Sequence, residues 1–218
     1  MQRTDDVAAY GWLEDRAGKP IFAGVEAPGY AAYVRVFHSI YEPARRGQPA
    51  DLAADSLWRP PQSRRVRWRE LADRLDVAFT GTERDLRFLA ASPKRALLDY
   101  VDPPPEGSLD GENLQRLVDL LLRHSGDVPV TAYYCVLAMA HWQGPAVFDG
   151  WLSEVPSLYE DAALRHPATP QNWWPADHSW LVYTDWDLST TTICAPLTLV
   201  EPLLADPVLE CSRVDESP

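Results

Sequence analysis

The residues best suited to chemistry fall in one short run, Asp177 and His178 followed by Asp185 and Asp187. A histidine beside carboxylates can serve as a general base, and imidazole with carboxylate oxygens can also hold a metal. A strand over residues 179–187 would put Asp185 and Asp187 on one face with Leu181 and Tyr183. Trp180, Val182, Thr184 and Trp186 would take the other face. The carboxylates could then converge, although their spacing matches no metal or hydrolase motif. A plainer account has the aspartates accepting turn amides and His178 hydrogen-bonding a backbone carbonyl.

Two other groups suit binding better than catalysis. Trp173, Trp174, Trp180 and Trp186 could wall a small-molecule or peptide groove. Trp180 and Trp186 read as core, because alternate strand positions collect bulky side chains. Trp173 and Trp174 are neighbours, so extended backbone turns them to opposite sides and at least one is expected at the surface. Arg59, Arg64, Arg65, Arg67 and Arg69, flanked by Trp58 and Trp68, could clamp a phosphate or an acidic partner. The competing account pairs these arginines with the chain's own carboxylates.

Other routes to chemistry lack their signatures. The chain has no HxH, HExxH or paired CxxC, and no GxGxxG, GxxxxGK[ST] or GxSxG. No metal and no cofactor is therefore expected. His38 and His141 sit in apolar segments and read as satisfied core-edge histidines, while His124 and His166 fall near a helix end and a loop. Cys135, Cys194 and Cys211 are far apart and read as buried free thiols.

The elements that must position these groups are marked by periodicity and by proline. Residues 30–38 read as a strand, with a helix as the competing reading that Ala31 and Ala32 permit, residues 68–75 as a short helix, and residues 84–100 as one or two further helical turns. The clearest helix spans residues 111–124. Leu114, Leu117, Val118 and Leu121 make its apolar stripe, Asp110 caps it, Arg123 and His124 suit its negative end, and Gly126 stops it. Residues 130–142 are apolar on both strand faces and predict a central strand, with a buried helix as the other reading that periodicity allows. Residues 172–178 read as a turn-rich approach to the strand at 179–187. A strand or turn follows at 190–194, and then a helix with Leu197, Val200, Leu203 and Leu204 inward. The chain returns as a strand over 208–214. The fold class expected is α+β, a single domain over 1–218 with an antiparallel or mixed sheet and helices packed mainly on one face. Its ends, near 1–8 and 215–218, are expected to fray.

The run Pro28-Gly29-Tyr30-x-Ala32-Tyr33-x-Arg35-Val36-Phe37-His38 resembles a motif in a protein family of GC-rich actinobacteria. Trp173, Trp174, Pro175, Asp177, Trp180, Val182, Thr184 and Asp187 resemble that family's C-terminal signature, as does the helix ending Leu204-Ala205-Asp206-Pro207. Thr191-Thr192-Ile193-Cys194 departs from the glycine-containing loop expected there. The resemblance implies one bacterial family and brings no activity and no catalytic residues with it.

Composition narrows the function. The 218 residues carry 32 acidic against 20 basic side chains, a formal charge of −12, which opposes binding to the phosphate backbone of nucleic acid. Hydrophobic residues make up 46 %, ample for a core, and nine are tryptophan. No secretory signal or apolar run of membrane-spanning length is visible, so a cytoplasmic location is expected. These features point to a non-catalytic protein that binds another protein, in an immunity-type or regulatory role. The rival is a small-molecule enzyme using His178 with Asp177, Asp185 or Asp187 in an aromatic-lined pocket.

Overall fold

Alternation of β-branched and aromatic residues builds the strands of one large sheet. The computed structural model describes residues 1–4, 6–21, 24–43, 63–140 and 144–214. Strands β1 (Gln2–Thr4), β2 (Ala32–Phe37), β5 (Pro129–Tyr134), β6 (Ala146–Trp151), β7 (Asn172–Pro175), β8 (Leu181–Thr184), β9 (Thr190–Ala195) and β10 (Glu210–Val214) form it. Their order is β1-β6-β5-β7-β8-β9-β2-β10, with every neighbouring pair antiparallel. A separate hairpin pairs β3 (Ile40–Pro43) with β4 (Ser63–Val66). Among the described residues four α-helices, α1 (Gly11–Ala17), α2 (Trp68–Arg74), α3 (Gly111–Ser125) and α4 (Leu197–Leu204), complete an α+β fold. None of the described helices is long and apolar enough to cross a membrane.

The two faces of the sheet are covered differently. Helices α3 and α4 pack over the face that carries Val34, Val36, Trp173, Trp180, Val182 and Ile193. On α3 the expected stripe is buried, with Leu114, Leu117, Val118 and Leu121 each at most 1 % exposed. Burial of each such side chain stabilises by roughly 1.5–3 kcal/mol. Asp110 Oδ1 accepts the Asn113 amide at 2.8 Å to cap the helix, and Gly126, at φ 74°, ends it. The opposite face is covered by the segment that follows α1. The Tyr133 hydroxyl donates to the Ile21 carbonyl, and the Asn172 side chain clamps Val25. A second core, around Trp68, Leu71, Leu75 and Leu89, joins α2 and the hairpin to Phe37.

Several expectations are corrected here. Residues 2–4, in the end expected to fray, are placed as β1 and paired with β6. Residues 215–218 lie outside the described residues. The strand expected over 130–142 stops at Tyr134, because the Gln171 side chain takes the Cys135 amide and the chain turns at residues 136–138. The expected turn at 172–178 is partly strand β7, and the turn itself is confined to the residues after Pro175. On α4 the inward face is Leu199, Val200 and Leu203, whereas Leu197 and Leu204 are exposed. The helical turns expected over residues 84–100 are present, as two 3₁₀ helices, Leu86–Ala91 and Arg95–Tyr100.

His38 is a fully buried strut. Its Nδ1–H donates to the Pro105 carbonyl at 2.7 Å, which leaves Nε2 to accept from the Thr191 hydroxyl at 3.0 Å. Thr191 Oγ1 lies 2.8 Å from the Thr184 hydroxyl, and the His38 carbonyl accepts the Trp68 indole N–H. Burial pushes the imidazole pKa down to about 4. Because the folded value lies below that of the unfolded chain, stability is complete above about pH 6.5 and is lost as pH falls toward 4. Urea titrations at pH 7 and pH 4 should differ by about 3 kcal/mol from this residue, and His38→Gln should flatten that difference. His141 lies outside the described residues.

Candidate binding site at the end of the long helix

The polar residues picked out in the sequence do not converge. Asp177 and His178 precede β8, whereas Asp185 and Asp187 follow it. At about 3.3 Å per residue the four residues of β8 separate the two pairs by about 13 Å. Asp185 is committed to its own turn: Oδ2 accepts the Tyr183 hydroxyl at 2.7 Å and Oδ1 the Asp187 amide at 2.9 Å. Asp187 is an exposed turn residue. The His178 ring lies flat on the Trp12 indole, with centroids 3.7 Å apart. Desolvation there lowers the imidazole pKa, which the adjacent Asp177 partly opposes. His178 adopts φ 53°, unusual for a residue with a side chain, and its carbonyl accepts the Tyr30 hydroxyl. The carboxylate–histidine site envisaged for catalysis is therefore not assembled. Among the described residues no group of three His, Cys, Asp or Glu side chains is placed to hold a metal.

The tryptophans are also corrected. Trp173 and Trp174 are both buried, at 0 % and 2 % exposed, because the sheet is covered on both faces at β7. Trp173 meets Trp180 edge to face on one side, and Trp174 meets Trp12 on the other. Trp186 is half-buried in the turn after β8, near His166. Among the described residues the exposed indole is Trp151, at 51 %, which ends β6 opposite Pro129.

The arginine stretch is taken up internally. Arg64 pairs with Glu42 at 2.8 Å and with Glu70 at 3.0 Å, and Arg74 shares both carboxylates. Arg65 donates to the Asn113 side chain, Arg67 donates to the Pro207 carbonyl, and Arg69 lies over the Phe79 ring. Arg59 and Trp58 lie outside the described residues. The hydrogen bonds from Arg64 hold the Glu42 carboxyl below its ordinary pKa.

What the fold does leave open is a groove of about 340 Å³ where α3 ends against the sheet. Its lining comes from His124 and Ser125 of α3, Val128 and Pro129 entering β5, Pro175 closing β7, and Ala176, Asp177 and Ser179 of the following turn. Each part has a local cause. Gly126 halts the helix, its amide capping Leu122 at 2.9 Å, and Pro129 opens the neighbouring strand. Pro175 closes β7, its carbonyl accepting the His178 amide at 2.9 Å. Asp177 Oδ1 accepts the Ser179 amide at 3.0 Å, and that bond lowers the carboxyl pKa. The Trp180 indole donates to Ser125 Oγ at 2.9 Å and ties the helix end to β8. Among the residues picked from sequence only Asp177 belongs to this groove. The rest carry a faint signal: two prolines at strand ends and a glycine stop, which join only because Val130 registers with Pro175.

Comparisons with protein-family models, with curated proteins and with solved structures found no match to the chain.

Proposed function

We propose that this chain is a non-catalytic protein-binding protein, of the immunity or regulatory type, that engages its partner around the end of β6 and the groove beside it. One observation carries the reading: exposed Trp151 registers with Pro129, which is itself a wall of the Asp177 groove. An aromatic anchor beside a small apolar cleft with a carboxylate at its rim is the composition of a binding hot spot. The formal charge of −12 adds a field that steers basic partners toward the surface. The enzyme alternative has less support, since His178 is stacked on Trp12 while Asp185 stands beyond β8.

Trp151→Ala separates binding from folding. The side chain is half exposed, and its amide rather than its ring holds Glu154, at 2.8 Å. Thermal stability should change by less than about 1 kcal/mol, while capture of the native-host partner should weaken by about tenfold or more. Equal capture by the two proteins, with both folded, would remove Trp151 from the interface.

A further inference from the structure

We propose that the groove at the end of α3 seats an arginine side chain supplied by the partner protein; the inference rests on the protein-binding reading above. Three features of the groove select that chemistry. First, a long helix ends there, and the carbonyls of its last turn carry the negative pole of the helix. Second, the Asp177 carboxylate stands in the lining and is held in place by the Ser179 amide. Third, Val128, Pro129, Pro175 and Ala176 give apolar surfaces, and His124 adds a planar ring.

A guanidinium matches this combination better than an ammonium. It is weakly hydrated, lies flat against apolar and aromatic surfaces, and presents a fork to a carboxylate. Its methylene stem can cover the proline walls while the head stays polar. A carboxylate or phosphate would instead meet both Asp177 and the helix pole as like charges. The volume, about 340 Å³, sits at the small end of the range for ligand clefts and suits one side chain rather than a bulky cofactor. The net charge of −12 favours a basic partner at long range.

The test uses the full-length chain, labelled with nitrogen-15 and titrated with N-acetyl-argininamide and, separately, with the neutral isostere N-acetyl-citrullinamide. The Trp180 indole N–H is the reporter, because it donates to Ser125 in the groove lining. The arginine derivative should shift that resonance and the amides of residues 176–179, and the citrulline derivative should not. Asp177→Asn keeps an oxygen to accept the Ser179 amide, so the turn persists. Affinity for the arginine derivative should nevertheless fall about tenfold. Equal response to the two probes, shifts confined to other surfaces, or unchanged affinity in Asp177→Asn would each overturn the proposal. Partner capture with Asp177→Asn separates this inference from the reading beneath it. Capture at wild-type yield leaves a protein-binding protein and removes the groove from its interface. Absence of any partner for the wild-type chain removes the reading, while the probe titration still decides whether the groove takes arginine.

Discussion

Replacing Trp173 by alanine will lower stability by about 3–5 kcal/mol. The side chain is fully buried under α3 and stands edge to face against Trp180, with ring centroids 5.6 Å apart. Truncation removes that contact, worth about 0.5–1.5 kcal/mol beyond area burial, and leaves a cavity that β7 cannot close because it pairs on both sides. Urea denaturation monitored by circular dichroism reads the change as a lowered midpoint at unchanged slope. A loss below about 1 kcal/mol would mean that the indole is not in the core and would return it to the surface. The same argument applies to Trp174, which packs against Trp12 on the opposite face.

The second large effect is expected one residue earlier. Asn172 is fully buried and grips Val25 with both ends of its amide, Oδ1 accepting the Val25 N–H and Nδ2 donating to the Val25 carbonyl, each at 2.8 Å. It thus replaces the neighbouring strand that Val25 lacks. Gly24 permits the close approach: at φ 96°, a Cβ there would fall 2.9 Å from the Tyr183 ring. Asn172→Ala strands two buried backbone groups at about 1–3 kcal/mol each. The expected loss is therefore about 2–6 kcal/mol, with the Val25 amide turning from protected to rapidly exchanging in deuterium exchange. Retained protection at Val25 would show that another group satisfies it.

Both residues illustrate what the sequence discloses and what it withholds. The helix at 111–125 was legible because its apolar spacing, aspartate cap and glycine stop all agree. Strands β2, β8 and β9 were legible from β-branched and aromatic content, and helix α4 from its apolar spacing. Trp173 and Trp174 were misread because burial on both faces of β7 depends on which segments cover the sheet. Trp12, Ile21 and Val25, which cover the second face, carry no periodicity that announces it. Asp185 and His178 looked like neighbours because the strand between them is short. In three dimensions β8 carries them apart: Asp185 accepts from its own turn, and the His178 ring stacks on Trp12. The groove was the least legible feature. Its lining comes from α3, β5, β7 and the turn after β7, so no single stretch of sequence contains it.

The claim that this is a protein-binding protein is tested most directly by purifying the tagged full-length chain from its native host at moderate salt and weighing the product by native mass spectrometry. The account predicts a complex of defined stoichiometry with a second, basic protein, which dissociates when Trp151 is replaced by alanine. A chain that returns alone, from cells grown under conditions in which it is expressed, would contradict it.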